Sequence, residues 1–234
     1  MAPTYEWTAA PTTVEVALER RAFLKRTYGH LLGAVMGFVI VELVFFKMGW
    51  ARSMYEALAV SRSGWLLVLG GFMLVGWMAS RTAASSLSQG AQYVALAVYV
   101  VAQAIIFVPL LYIATEYAPG AIQSAGLITL LGFAGLTAIA FLMGEDFTFL
   151  GGILRWVAIC ALLAIVGGVI FDFALGTWFS VLMIAFAGAA VLYDTSAIML
   201  HYPSDRHVAA ALSLFASVAL MFFYVLRLIL ASRR

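Results

Sequence analysis

Residues 175–200 read LGTWFSVLMIAFAGAAVLYDTSAIML, and this stretch decides the fold. Its 26 residues include a single charged one, Asp194. A helix rises about 1.5 Å per residue and the hydrocarbon core of a bilayer is about 30 Å thick, so roughly 20 apolar residues suffice to cross it. The apolar residues are continuous, whereas those of a membrane β-strand alternate with polar ones. The stretch therefore predicts a transmembrane helix.

The rest of the 234-residue chain has the same character, with 65% hydrophobic and 10% charged residues and a mean hydropathy of +1.05. A soluble domain is roughly 45–50% apolar and about 25% charged, so a soluble enzyme and a disordered chain are excluded. The net charge of +2 offers no footprint for nucleic acid. We predict an all-α membrane protein whose seven transmembrane helices lie at 28–48, 64–80, 91–115, 121–143, 149–171, 175–200 and 207–231.

Residues 1–27 precede the first span and form a separate amphipathic N-terminal arm, whereas 28–234 form one seven-helix transmembrane domain. Thr12 and Glu15 have the spacing of a capping box, which predicts a short helix over 13–27. This helix either lies on the membrane surface or is a solvated basic arm. Its cations favour a cytoplasmic N-terminus, because positive charge is retained on that side of a membrane. They are Arg20, Arg21, Lys25 and Arg26.

Two acids lie inside the predicted spans, Glu42 in the first and Asp194 in the sixth. Charges at this depth are costly and are commonly functional, although a structural hydrogen bond within the bundle is the alternative. Counted from the cytoplasmic ends of their spans, the two acids differ in depth by roughly 12 Å. We therefore expect no direct contact between Glu42 and Asp194, but two levels of one polar path. Asp194 is the expected oxygen ligand for a weakly bound hard cation such as calcium.

Several classes of membrane enzyme and receptor are excluded by what the spans lack. The only lysines, Lys25 and Lys47, are far from any late span that could bind retinal. All three histidines lie at span ends, and the sequence has neither His-Glu-x-x-His nor Gly-x-Ser-x-Gly. We expect no enzymatic activity and no cofactor apart from weakly bound calcium.

Four segments together resemble one known family. Residues 137–141 (TAIAF) lie in the fourth span, 146–154 (DFTFLGGIL) open the fifth, and 192–196 (LYDTS) lie in the sixth. Residues 23–29 (FLKRTYG) lead into the first span. In this order and at these spans they are similar to segments of the Bax inhibitor-1 family, also called the transmembrane Bax inhibitor motif family. The resemblance covers nearly the whole chain and suits a bacterial-type member in the inner membrane.

The resemblance implies a fold in which the C-terminal helix is buried within the other six helices. It also implies two kinds of function. Bacterial members are described as pH-sensitive calcium leak proteins, and others as modulators of a membrane-anchored AAA protease, while eukaryotic members suppress cell death and lower stored calcium. The chain is accordingly expected to be a calcium or cation leak, or a regulator without transport activity that binds a membrane protease or another integral membrane protein.

The family's leak mechanism rests on two aspartates, in the sixth and seventh spans, that share a proton. Asp194 matches the first, whereas Ser217 stands where the second is aligned. A serine can hydrogen-bond to Asp194 but cannot share a proton with it as a second acid, which argues against pH gating. The basic latch of the second span aligns with Ala79, and Arg81 follows two residues later as the group that could plug the site by pairing with Asp194.

Overall fold

The computed structural model describes residues 13–60, 70, 73–76, 78, 81 and 88–233. Within these residues the secondary structure is helical, without strands. A short 3-10 turn, Phe147–Phe149, precedes the fifth of the helices named here. In chain order the helices are α1 (Thr13–Lys47), α2 (Trp50–Val60), α3 (Gln89–Tyr117), α4 (Ala121–Met143), α5 (Leu150–Phe171), α6 (Gly176–Leu200) and α7 (His207–Ser232).

Six of the described helices, all except α2, are long and apolar enough to cross a membrane. They match the predicted spans apart from the one at 64–80, and the predicted bounds of the fourth span, 121–143, coincide with those of α4. Most of the segment 64–80 lies outside the described residues, which include only 70, 73–76 and 78 of it, all in helical conformation. An all-helical membrane fold is thus confirmed.

Helix α1 runs without interruption through the predicted arm and the first span. Its 35 residues are about 52 Å long, which exceeds the hydrocarbon thickness by about 22 Å. One face is buried from Phe23 to Glu42, and its members recur every three or four residues, as on one side of a helix. These buried residues are Phe23, Thr27, Leu31, Ala34, Phe38 and Glu42. The end of the predicted arm, from Phe23 to Thr27, therefore packs against the bundle. Thr12 lies outside the described residues.

Helix α2 occupies the segment between the first and second predicted spans, where no helix was expected. It carries an ion pair one turn apart, with Arg52 Nε 2.7 Å from Glu56 Oε1. Its Tyr55 ring stacks on Tyr112 with 5.0 Å between the ring centroids. This helix is short and contains charged residues, so the pattern of apolar spans does not predict it. It packs against α3, which sets its position.

Helices α1 and α3 run in the same direction. His30, near the start of the apolar part of α1, has Nε2 2.9 Å from the hydroxyl of Tyr93, which is near the start of α3. At the other end, α2 directly follows α1 and its Tyr55 meets Tyr112 near the end of α3. The two helices are therefore parallel, with their first halves at one end of the bundle and α2 at the other.

Helix α7 packs against α1, α3, α4 and α6, and aromatic rings fill the space between these helices. Phe107 of α3 stacks on Phe222 with 5.7 Å between centroids and meets Phe223 edge-on at 5.3 Å. Phe38 of α1 contacts Phe215 at 6.3 Å. By contrast, α5 packs mainly on α6. The α6–α7 contact is therefore enclosed by neighbouring helices, and this is where Asp194 lies.

Candidate functional site

Asp194 lies on the buried face of α6, six residues before its end at Leu200 and so about 9 Å from that end. Only 8% of its surface is exposed. Small residues on the same helix permit close packing: a Cβ added at Gly188 would lie 3.3 Å from Leu136 Cδ1 of α4. The sequence of α6 thus brings a carboxylate into the interior of the bundle.

Both oxygens of the Asp194 carboxylate accept hydrogen bonds from α7. Ser213 Oγ donates to Oδ1 at 2.6 Å, and Ser217 Oγ donates to Oδ2 at 2.5 Å. The serines are four residues apart, so both hydroxyls lie on one face of the helix. The structure therefore places Ser217 opposite Asp194. Ser213 was not singled out from the sequence, although its spacing from Ser217 was the signal that could have identified it.

Glu42 is the second buried acid, with 6% of its surface exposed. Neither carboxylate oxygen has a hydrogen-bond partner among the described residues. Phe38, one turn earlier on α1, contacts Phe215, which lies between the two serines on α7. Glu42 is therefore one turn, or about 6 Å, deeper than the level of Asp194. This depth difference is about half the predicted one, which was counted from span ends without regard to how α1 and α7 are aligned.

The turn between α4 and α5 covers the end of α6 beyond Asp194. Ser196 Oγ accepts a hydrogen bond from the backbone N–H of Phe147 at 2.9 Å and donates to the carbonyl of Glu145 at 3.1 Å. Asp146 accepts hydrogen bonds from the Thr148 hydroxyl at 2.6 Å and from its backbone N–H at 2.9 Å. These bonds, of which the hydroxyl contributes most, lower the pKa of Asp146. The motif around 146–154 thus fixes the turn against α6.

Arg20 holds the same end of α6 from the other side. Its guanidinium donates to the carbonyls of Ile198 at 2.6 Å, Met199 at 3.0 Å and Tyr202 at 2.6 Å. The last carbonyls of a helix have no partner within the helix, and a cation is favourable there. Glu19 beside it accepts a hydrogen bond from Ser204. The arm of α1 therefore caps α6 and fixes the loop that leads to α7.

The sequence also matches a known protein family. The sequence profile of the family described as "Inhibitor of apoptosis-promoting Bax1" matches residues 20–234. The chain belongs to this family, the Bax inhibitor-1 family. None of the curated proteins compared with the chain is significantly similar to it in sequence. The Bax inhibitor-1 family is in general a family of non-enzymatic membrane proteins.

Of the residues singled out from the sequence, two are in direct contact in this Bax inhibitor-1 family member. Asp194 and Ser217 are hydrogen-bonded, whereas Glu42 lies at a neighbouring level on α1. Arg81 is exposed, and both hydrogen bonds that the described residues donate to Asp194 come from serines. Ala79, aligned with the family's latch, lies outside the described residues.

The site offers the carboxylate oxygens of Asp194 as ligands but does not form a complete metal-binding site. In the described part of the chain, no group of three or more His, Cys, Asp or Glu side chains could hold a metal ion. An ionised carboxylate has about four acceptor positions, and the two serines occupy two of those of Asp194. What remains is a carboxylate that can interact with a hard cation through one or two oxygens, which is weak binding.

Proposed function

We propose that the protein is a slow, passive leak for cations such as calcium, in which Asp194 is the ligand that a permeating cation meets. The observation that carries this proposal is the Asp194 carboxylate itself. It is buried between two membrane-spanning helices and bonded by two neutral hydroxyls. A carboxylate at such depth is costly and is commonly kept for an ion pathway.

The hydroxyls of Ser213 and Ser217 hold the site closed. In this arrangement the carboxylate is sealed between α6 and α7, with 8% of its surface exposed. Opening requires these two helices to move apart enough for a cation to replace the hydroxyls as the partner of Asp194. The energy of the two charge-assisted hydrogen bonds, about 1.5–3 kcal/mol each, then opposes opening and makes the leak slow.

Glu42 supplies a second carboxylate about 6 Å deeper along the same path. Its oxygens have no hydrogen-bond partner in the described residues, so they can accept a cation that leaves Asp194. Arg81 is the proposed plug, so Arg81→Gln should increase flux. Because Ser217 cannot share a proton with Asp194, we expect only weak dependence of flux on pH.

The membrane topology completes the proposal. We propose seven crossings in all, which the parallel directions of α1 and α3 support, because consecutive membrane-spanning helices alternate in direction. The packing of α7 against α1, α3, α4 and α6 supports a buried C-terminal helix. The cations on the first part of α1 favour a cytoplasmic N-terminus, in a bacterial inner membrane, so Asp194 lies toward the cytoplasmic side.

A flux assay on the purified protein tests this function. Liposomes loaded with a calcium-sensitive dye receive external calcium, with wild type, Asp194→Asn or no protein in the bilayer. We expect wild-type protein to carry calcium faster than protein-free liposomes and Asp194→Asn to reduce that flux about tenfold or more, because the carboxylate loses its charge. The matched control is Asp205→Asn, which removes an exposed acid at the same end of the bundle and should leave flux unchanged. Wild-type flux equal to that of empty liposomes would rule out the leak.

The second candidate is a regulator without transport activity that binds a membrane AAA protease or another integral membrane protein. The observation in its favour is that both Asp194 oxygens already have hydrogen-bond partners, as in a purely structural contact. Purification in mild detergent separates the two candidates. A stoichiometric membrane protease together with absent flux supports the regulator, whereas calcium flux through the chain alone supports the leak.

A further inference from the structure

A groove of about 910 Å³ runs between α1 and α3, and neither α6, which carries Asp194, nor α7 contributes a residue to its lining. Its floor is a stripe of small residues on α1, Gly29, Gly33 and Gly37, spaced four residues apart. A Cβ added at Gly29 or Gly33 would meet no atom within 4 Å, and one at Gly37 would lie 3.8 Å from Val100 of α3. The glycines therefore leave the groove open along the protein surface.

The two ends of the groove differ in chemistry. At one end Lys25 and Arg26 line it, and both are exposed. Neither has a carboxylate within ion-pair distance among the described residues. His30 stands beside them, donating from Nδ1 to the Arg26 carbonyl at 2.6 Å, with Nε2 2.9 Å from the Tyr93 hydroxyl. The remainder of the groove is lined by apolar or small residues of α1 and α3. The groove thus has a cationic mouth and an apolar body.

The length of the apolar body matches one leaflet of a membrane. From Gly29 to Val41 a helix rises about 18 Å, and half of the hydrocarbon core is about 15 Å. The cationic mouth then lies at the level of the lipid headgroups, where phosphate groups are found. Arginine and lysine are the side chains that bind phosphate, arginine through two parallel N–H groups.

We propose that this groove binds an anionic phospholipid, with its phosphate at Lys25 and Arg26 and one acyl chain along the glycine stripe. The charge at the mouth also argues against a second copy of the chain. A symmetric pair in a membrane has its two-fold axis along the membrane normal, which would place the same cations opposite each other. This site does not depend on whether the protein carries cations.

Native mass spectrometry of the full chain in detergent provides the test, with dioleoyl phosphatidylglycerol as probe and dioleoyl phosphatidylcholine as its neutral counterpart of equal chain length. We expect the wild type to prefer the anionic lipid, and Lys25→Gln with Arg26→Gln to reduce that preference by about fivefold per cation. Arg155→Gln removes an exposed cation of α5 outside the groove and should keep the preference.

A second pair of variants tests the body of the groove. Gly33→Leu places a side chain in open space within the groove and should reduce binding of the anionic lipid severalfold. Gly152→Leu makes the same change on an exposed face of α5, where a Cβ likewise meets no atom within 4 Å, and should bind as the wild type does. Equal binding of the two lipids by the wild type, or unchanged binding by Gly33→Leu, would overturn the proposal. So would a wild-type dimer that Gly33→Leu converts to monomer without changing lipid preference, since a second copy would then cover the groove.

Discussion

Ser217 on α7 donates a hydrogen bond of 2.5 Å to Oδ2 of Asp194 on α6, and Ser213 donates one of 2.6 Å to Oδ1 from the preceding turn. From the resemblance to the Bax inhibitor-1 family, a second aspartate is expected at this position, where the chain has Ser217. The serine keeps a hydrogen bond between the two helices, but it is not an acid, so Asp194 has no second carboxylate with which to share a proton. The strength of the hydrogen bond between α6 and α7 and the pH dependence of flux can therefore be tested with different substitutions at this position.

Removal of either hydroxyl should destabilise the folded protein. Ser213→Ala and Ser217→Ala each leave one oxygen of the buried Asp194 carboxylate without its donor, which costs about 1–3 kcal/mol. Thermal unfolding in detergent should show a lower Tm for both variants. Ser180→Ala is the matched control, because the buried Ser180 hydroxyl has no hydrogen-bond partner among the described residues and nothing is lost with it. A Tm unchanged from wild type in Ser217→Ala would mean that this hydrogen bond contributes little.

Restoring the second acid should introduce pH sensitivity. In Ser217→Asp two carboxylates would lie at hydrogen-bond distance and share one proton, and loss of that proton leaves two like charges between α6 and α7. Calcium flux through this variant should therefore rise by about tenfold from mildly acidic to mildly alkaline buffer, a change that one pKa unit of interaction supports. Ser217→Asn, which cannot ionise, should show the flatter profile of the wild type. If both variants respond to pH alike, an acid at this position is not the sensor.

Arg20 should stabilise the end of α6 more than its neighbour does. Arg20→Gln removes the guanidinium that binds three carbonyls at or just beyond the end of α6, with an expected loss of about 1–2 kcal/mol because the group is only partly buried. Arg21→Gln removes an exposed cation of the same helix and should leave the Tm unchanged. Equal Tm values for the two variants would show that the contact between the arm and α6 is weak.

The two adjacent glycines at the start of α5 should differ sharply. A Cβ at Gly151 would lie 2.9 Å from the ring of Tyr193, the residue before Asp194, so Gly151→Ala forces that ring to move. A Cβ at Gly152 meets no atom within 4 Å, so Gly152→Ala is tolerated or slightly stabilising. Chemical unfolding should place Gly151→Ala about 1–3 kcal/mol below Gly152→Ala. The reverse order would contradict the packing of Tyr193 against α5.

The spans could be predicted closely because membrane insertion depends on the composition of each segment. The predicted bounds of the last span, 207–231, differ from those of α7 by one residue. The continuity of α1 and the presence of α2 could not be predicted in this way. Both involve charged segments at the membrane edge. There the packing of α2 on α3 and the hydrogen bonds from Arg20 to the end of α6 determine the structure.

The candidate site was predicted in part for a similar reason. Asp194 stands out as a charge in an apolar stretch, and alignment of a motif pointed to Ser217. Nothing in the sequence of α7 alone assigns a role to Ser213, because that role depends on the hydrogen bond to Asp194 of the neighbouring helix. The level of Glu42 depends on how α1 is aligned with α7, which the contact between Phe38 and Phe215 fixes and a count along the chain does not.

Asp194 is proposed to bind the permeating cation, and the hydrogen bond from Ser217 is proposed to hold the site closed. Calcium influx into dye-loaded liposomes, measured side by side for Asp194→Asn and Ser217→Ala at equal protein content, tests this proposal most directly. We predict changes of opposite sign: flux falls about tenfold or more in Asp194→Asn, and rises about fivefold or more in Ser217→Ala because the closed state loses a charge-assisted hydrogen bond. Changes of the same sign, or wild-type flux in both variants, would contradict the account.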